Sequence, residues 1–468
     1  MTWLSYSTKA LSLFGVLPLV LKQFSASEIV LWYLFVTIIS LQTVIDFGFR
    51  QTFSRIISYA YGGSNSIGKF INAQQSSLNE NIGEPNRLLL SQIVGTMKRI
   101  YLWLILLVFI VSAIFGSWAL IKPIDSAGNT INAWICWIVI VVVTTISFYS
   151  KIYLNFLEGL FKIASVRRVE TLTSIGSIIS SIIVLIVSPS LINLVVTNQI
   201  WVLVVSYRDW YLCRKVENGL YQSISKEAKF NKELFSQIWP ASWKSGISVL
   251  MSMGLVNFTG IVYAQMGNSI SVASYLLTLR ILNQVRDISM APFYSKIPFL
   301  AILRVKNELP LLISTIKRGM FLSHMVFVVL YILLGFGIEL ILPTLGSEQN
   351  ILDKKMWILM GLAFYIHRFG AMHAQVYLST NHVITHIADG VTGVIYLVFL
   401  TILIQYLGVY GIPISMIIGY LSFYVWYSAK YSYSSLGIKF YEFERKAFLF
   451  PTVILICYYL FEFLFDTY

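Results

Sequence analysis

Charge is what this sequence has least of. Only 12% of its 468 residues are Asp, Glu, Lys or Arg, against 57% hydrophobic types. A soluble domain carries about 25% charged residues because its surface must be hydrated. No such shell can be built here, which excludes a soluble enzyme, a nucleic-acid-binding protein and a disordered chain. Cysteine is scarce as well. Cys136, Cys213 and Cys457 are an odd number with no CxxC pair, so no disulfide framework or zinc site is expected and they read as small apolar residues. No basic stretch precedes the first apolar segment, the first lysine being Lys9, and no cleaved leader is expected. Long alternating strand patterns are missing, which excludes a β-barrel. Soluble segments long enough for a catalytic domain are missing too, so no enzymatic activity is expected.

What is present is a series of apolar runs and a mean hydropathy of +0.74. A membrane-crossing helix needs about 20 mostly apolar residues. Candidate spans lie near 3–21, 28–60, 90–118, 133–157, 167–187 and 190–212. Six more lie near 238–264, 270–297, 309–343, 354–380, 383–406 and 409–430. A further apolar segment, 447–465, follows a charged stretch and reads as a thirteenth helix. The prediction is an all-α polytopic membrane protein. Residues 1–212 form a first six-helix bundle, 213–237 a cytoplasmic linker, 238–432 a second six-helix bundle and 433–468 a C-terminal extension.

The few charges orient the chain. With a cytoplasmic N-terminus, one side holds Lys69, Arg87, Lys98 and Arg99; Lys162, Arg167 and Arg168; Arg214, Lys215, Lys226, Lys229 and Lys232; Lys296, Arg304 and Lys306; and Lys430, Lys439, Arg445 and Lys446. The other side holds Lys22, Lys122, Lys354 and Lys355. Basic residues accumulate in cytoplasmic loops, so this asymmetry supports both the helix count and the orientation.

The remaining charges fall within helices. Arg55, Lys151, Arg208, Lys244, Lys317 and Arg318 lie near cytoplasmic helix ends, within snorkelling reach of headgroups. Arg280 and Arg368 do not. At about 1.5 Å per residue each sits near the centre of its span, where a charge costs at least about 2.5–3.5 kcal/mol and faces a cavity or a partner. Arg280, Asn283, Gln284 and Asp287 follow i, i+3, i+4, i+7 spacing and form one polar stripe. Gln42, Asp46 and Arg50 repeat every four residues, with the acid ahead of the base, the favourable order for an ion pair. Arg368, Gln375 and Ser379 make a third stripe. Buried ion pairs that fix packing and a wet cationic cavity both accommodate this pattern, and the excess of deep arginines favours the cavity. Asp46, Asp287 and Asp389 are the intramembrane carboxylates suited to carry a coupling proton or sodium ion or to act as counter-ions. His382, His386 and Asp389 share one face but lack a fourth ligand, so no metal is expected, and His367 and His373 are buried enough to titrate anomalously.

Other matches carry no weight. Gly63–Lys69 fits GxxxxGK, but Phe70 stands where Ser or Thr would hold Mg²⁺ and no strand precedes it. No nucleotide, nucleic acid or cofactor is expected. Asn257-Phe258-Thr259 fits a glycosylation sequon but lies inside a span.

The stretch from Thr43 to Ala60, with Asp46-Phe47-Gly48-Phe49-Arg50, resembles the second helix of the polysaccharide-transport (Wzx-type) flippases of the MATE-like, or MOP, exporter superfamily. Ala273–Leu282 running on to Met290–Pro298 resembles that family's eighth helix, and Leu407–Pro413 resembles the entry to its twelfth. The resemblance covers about residues 5–432. It implies two six-helix bundles in a V shape around a central cavity, and passage of undecaprenyl-diphosphate-linked oligosaccharide repeat units, of O-antigen or capsule type, across a bacterial inner membrane. Substrate binding would then fall to Arg50, Arg280, Arg286 and Arg368 with Gln284 and Gln375. Partners would be the lipid-linked oligosaccharide, membrane lipid and the polysaccharide polymerase machinery. A lipid II flippase is the nearer alternative. A MATE-like cation-coupled multidrug antiporter is the further one, since it would need a net acidic cavity.

Overall fold

The structure, a computed structural model, describes residues 15–63, 85–160, 162–267, 269–305, 308–344, 353–380 and 383–465. Among these residues all regular structure is helical. Among the described residues seven helices are long and apolar enough to cross a membrane, and a bent pair near the C-terminus makes up to eight. One of the seven, Thr385–Leu436, has 52 residues, room for two crossings about the turn at Gly408–Tyr410. The chain is a multi-pass membrane protein. The helices Ser269–Tyr294 and Lys354–Leu378 are absent from the seven. They carry Arg280, Arg286 and Asp287, and Lys354, Lys355 and Arg368, and these charges lower their hydropathy. The helices that carry these mid-span charges are thus the ones an apolar count passes over.

Contacts divide the chain into two compact units. One runs from Phe35 to Asn257. The other comprises Phe258–Tyr468 and the segment ending at Leu34. The boundaries fall inside helices α1 (Ala26–Ser40) and α9 (Leu255–Met266), and so differ from the boundaries expected at 212 and 238.

In the first unit, α2 (Phe49–Tyr61), α3 (Arg87–Val111), α4 (Thr130–Gly159), α5 (Ile163–Val187) and α6 (Leu191–Lys215) are joined by α7 (Leu220–Lys226) and α8 (Lys232–Val249). Phe53, Tyr101, Phe148 and Phe156 are fully buried and form the core where α2, α3 and α4 meet. The expected linker is part of this packing. The backbone of Lys229 lies so close to α3 that a Cβ on Gly95 would sit 2.3 Å from its carbonyl oxygen. The Asn231 N–H donates to Thr96 Oγ1 at 3.1 Å, and Lys98 Nζ donates to the Ser225 hydroxyl at 2.5 Å. The charged segment is therefore a docked surface element, because its polar groups find partners on α3.

The expected single span 28–60 is broken. After α1, a four-residue turn, Gln42–Ile45, leads to Phe47 at φ 51° and Gly48 at φ 74°. Phe47 stacks on Trp239 of α8 at 6.1 Å. The backbone needs the left-handed region at position 48, and a Cβ there would stand 2.4 Å from Ser245 Cβ. Local geometry and close helix approach both demand glycine.

In the second unit, α10 (Ser269–Tyr294), α11 (Ile297–Val305), α12 (Leu309–Thr344), α13 (Lys354–Leu378), α14 (Thr385–Leu407), α15 (Gly411–Gly419) and α16 (Val425–Leu436) precede the extension. That extension is α17 (Phe440–Ala447) and α18 (Leu449–Phe465), bent 58° from each other. Contacts run antiparallel down α13. Phe448 packs on Phe369 at 4.7 Å, Thr452 bonds Tyr365 at 2.9 Å, Tyr459 donates to the Ile358 carbonyl at 3.4 Å, and Glu462 pairs with Lys354 at 3.8 Å. Residues 447–465 thus lie along four turns of a membrane helix.

Gly48→Ala is expected to lower stability by about 1–3 kcal/mol, from the strained φ and the overlap with Ser245. The check is the melting temperature of the purified protein in detergent, compared with Ala at exposed Gly128.

Candidate functional site

Two polar constellations sit where α-helices of each unit turn charged side chains inward. The first begins at the broken helix. Asp46 Oδ2 accepts the Arg50 backbone N–H at 2.9 Å, and Oδ1 accepts the Tyr101 hydroxyl at 2.6 Å. Asn155 Nδ2 donates in turn to the Tyr101 oxygen at 2.7 Å. Asp46 therefore caps α2, satisfying a donor that no helical carbonyl can reach. The expected Asp46–Arg50 side-chain ion pair does not form, because the left-handed turn at Phe47–Gly48 interrupts the helix between them. The Arg50 guanidinium instead forks onto Glu158 of α4, with Nε 3.2 Å from Oε2 and Nη2 2.6 Å from Oε1. This is the bidentate geometry that arginine favours. The Arg50 side chain remains 43% exposed. A third pair, Arg208–Asp209 at 2.6 Å, is buried and also reaches Thr173 at 3.1 Å. Arg208 was expected to snorkel, but Asp209 beside it supplies the charge partner.

The second unit holds the other arginines, and their settings differ. Arg368 is completely buried. Its Nη1 donates to the Ser289 hydroxyl, and its Nη2 donates to the carbonyls of Ser289 at 2.6 Å and Ser323 at 2.5 Å. The guanidinium also lies 5.3 Å from the Phe327 ring centre. Pro292 interrupts the hydrogen-bond ladder of α10 here, and neighbouring side chains step in: Ser323 Oγ accepts the Phe293 N–H at 3.2 Å. Arg368 ties α10 and α12 to α13. The expectation that it lines an open cavity is corrected for this conformation, since the Ser289 hydroxyl and the Ser289 and Ser323 carbonyls enclose it.

Arg286 pairs with its neighbour Asp287 at 3.0 Å and lies 5.8 Å from the Phe364 ring centre. Arg280 is partly exposed, as are Gln284, Asp287 and, on α13, Gln375. Leu279, Ile281, Leu282 and Val285 between the polar positions are buried. The stripe is thus a helix face as the spacing predicts. Among the described residues, Arg280 has neither hydrogen bond nor ion pair, while Tyr33 and Asp287 lie within electrostatic reach. The Tyr33 hydroxyl is buried and likewise has no hydrogen-bond partner among the described residues.

Asp389 is buried near Tyr420 and Tyr424. His367 stacks on Tyr424 at 5.1 Å. His382 and the 64–70 part of the GxxxxGK match lie outside the described residues, and no group of metal-ligating side chains occurs among those described. His373 Nε2 is 3.2 Å from Glu444 Oε1 of α17, and Tyr433 donates to the same oxygen at 2.8 Å. Glu158, Tyr101, Asn155, Tyr33 and Glu444 were not legible as site residues. Glu158 falls one residue beyond its expected span and resembled a loop acid. The others meet their partners only across the fold.

No family model and no curated protein matches the chain. Solved structures do. A multidrug resistance MATE family transporter of the MOP superfamily, in its inward-facing conformation, aligns with TM-score 0.67 at 14% identity, covering 91% of this chain and 94% of that one. A MOP superfamily transporter from Pyrococcus furiosus aligns with TM-score 0.65 at 13% identity, covering 93% and 94%. The MATE multidrug transporter DinF-BH aligns with TM-score 0.66 at 13% identity, covering 94% and 95%.

Two outcomes test these assignments. Arg50→Gln and Glu158→Gln in a double-mutant cycle are expected to show coupling of about 1 kcal/mol, modest because the pair is half exposed; melting midpoints of the four proteins measure it. Arg368→Ala is expected to destabilise by about 2–5 kcal/mol, by orphaning two carbonyls and leaving a cavity. Arg368→Lys should recover little, since one ammonium cannot reproduce the fork, and detergent-solubilised yield and melting temperature report both. The geometry and the alignments together give this chain the fold of the MATE and other MOP superfamily transporters.

Proposed function

We propose that this chain is a flippase that carries undecaprenyl-diphosphate-linked oligosaccharide repeat units, of O-antigen or capsule type, across the bacterial inner membrane by alternating access. The observation that carries this reading is Arg280. It is a mid-helix guanidinium that makes no hydrogen bond and no ion pair among the described residues, with Asp287 acting on it only at a distance. The other deep arginines have their acceptors within the protein. A cation left open at membrane depth is expensive unless an anionic ligand meets it, and a diphosphate matches the planar fork of donors. Gln284 and Asp287 on the same face, with Arg286 beside them, extend the polar surface toward a hydroxyl-rich glycan. Gln375, part-exposed on α13, is a further contact under this reading.

Translocation needs no covalent chemistry. The lipid tail stays in the bilayer, the headgroup exchanges water for guanidinium and amide donors, and release follows when the binding face opens to the other side. Asp46, held by Tyr101 and capping α2, is the carboxylate placed to carry a coupling proton, because protonation would remove an acceptor at the break in the helix. Asp287 and Asp389 act as counter-ions. A change of cargo on this fold has a parallel. For the Pyrococcus furiosus transporter, a reverse polarity of the binding pocket suggests a different function.

Arg280→Ala should abolish surface polysaccharide while leaving yield and monodispersity unchanged, with Arg280→Lys retaining part of the export. Complementation of a repeat-unit flippase deletion, read by surface polysaccharide blots, makes the measurement. Normal export by Arg280→Ala would sink the mechanism. Rescue of a lipid II flippase deletion instead would keep the class of activity and move the substrate to the peptidoglycan precursor.

A further inference from the structure

A second basic site lies away from these arginines, where α12 meets the C-terminal extension. A cavity of about 480 Å³ is lined there by Lys317, Arg318 and Lys446, with Ser314, Phe321 and Pro310. Among the described residues no acidic side chain lines it. Neither Lys317, Arg318 nor Lys446 has an ion pair among the described residues. The cavity is a shallow depression open to its surroundings, which are apolar and exposed: Leu311, Leu322, Leu449 and Phe450 each show between 42% and 57% of their surface.

The wall that brings Lys446 to this place is firmly held. Two residues before it, Glu444 is buried and accepts the Tyr433 hydroxyl at 2.8 Å, with His373 Nε2 at 3.2 Å. Lys317 Nζ lies 5.4 Å from the Phe443 ring centre, and Phe321 packs on Phe450 at 6.4 Å. The three cations therefore converge because two helices are locked together, although their own repulsion opposes it. Such convergence without an internal acid calls for an external anion. The basic residues of this region belong to the side that the distribution of Lys and Arg assigns to the cytoplasm. Lys317 lies only eight residues, about 12 Å, from the start of α12 at Leu309. That is headgroup depth, and Leu322, five residues further into α12, lies at acyl depth.

We propose that this cavity binds the headgroup of an anionic phospholipid of the surrounding leaflet, with preference for a headgroup bearing two phosphates, its acyl chains lying on the exposed apolar residues of α12 and α18. Basic pockets between membrane helices on the cytoplasmic side suit such headgroups, and Ser314 adds a hydroxyl that can donate to a phosphate oxygen. The site is independent of the transport reading. It would cement α17 and α18 onto the unit and make the extension a lipid-held element.

The test uses the full chain purified in neutral detergent and supplied with diphosphatidylglycerol, phosphatidylglycerol or phosphatidylcholine, with retained lipid counted by native mass spectrometry. Diphosphatidylglycerol should be retained at one per chain, phosphatidylglycerol more weakly and phosphatidylcholine not at all. Lys317→Gln, Arg318→Gln and Lys446→Gln combined should weaken retention about a hundredfold, three basic residues each contributing as one does near an anionic surface. Lys317→Arg with Lys446→Arg should preserve it, and unchanged melting temperature in phosphatidylcholine confirms that the neutralised variant folds. If that variant misfolds, the three single Gln variants should each weaken retention several-fold. Equal retention by wild type and every neutralised variant overturns the proposal. So does occupancy by inorganic diphosphate as tight as by the lipid, or displacement by equimolar polyprenyl diphosphate, which would make the cavity a port for free phosphate or for cargo.

Discussion

A guanidinium brought into an apolar interior must be given acceptors, and this requirement organises both units of the protein. The cost of a charge at membrane depth is several kcal/mol, comparable with a large part of a domain's net stability. The chain meets it in three ways. Arg50 and Arg208 are matched to carboxylates on another helix or at the next position. Arg368 is matched to a hydroxyl and two carbonyls of α10 and α12. Arg280 has only the distant charge of Asp287, with no hydrogen bond or ion pair among the described residues. The first two solutions consume the arginine in structure. The third leaves a guanidinium without a hydrogen-bonded partner among the described residues.

The same economy explains the irregular backbone. Asp46 is held by Tyr101 and caps α2 because the helix breaks at Phe47–Gly48, and the break exists because α8 approaches so closely that only glycine fits. Irregular backbone at membrane depth survives where protein groups satisfy it. Here one carboxylate does so while remaining hydrogen-bonded to a phenol. A group with both duties joins the local backbone to its protonation state, which is why it stands out as the coupling residue of the proposed cycle.

The C-terminal extension is a third consequence. Its amphipathic first helix turns Glu444 inward to His373 and Tyr433 and leaves Lys446 facing outward. The second helix then follows α13 from Phe369 to Lys354. A polar latch at one end and an ion pair at the other hold an aromatic seam between them, with Tyr331, Tyr365, Phe448 and Tyr458 packed ring against ring.

Much was legible in the sequence, for physical reasons. Hydropathy requires only composition over about 20 residues, so the all-helical membrane class and most span positions follow from it directly. The i, i+3, i+4, i+7 stripe of Arg280 is a property of one helix and was visible for the same reason. Partners are another matter. That Arg368 is enclosed depends on Ser289 and Ser323, which lie 79 and 45 positions away along the chain. That Arg50 meets Glu158 across 108 positions depends on a turn that local spacing did not disclose. The sequence by itself determined where charge enters the membrane. Only the tertiary structure decided which of those charges is already neutralised, because neutralisation is a matter of a few ångströms between helices and not of order along one.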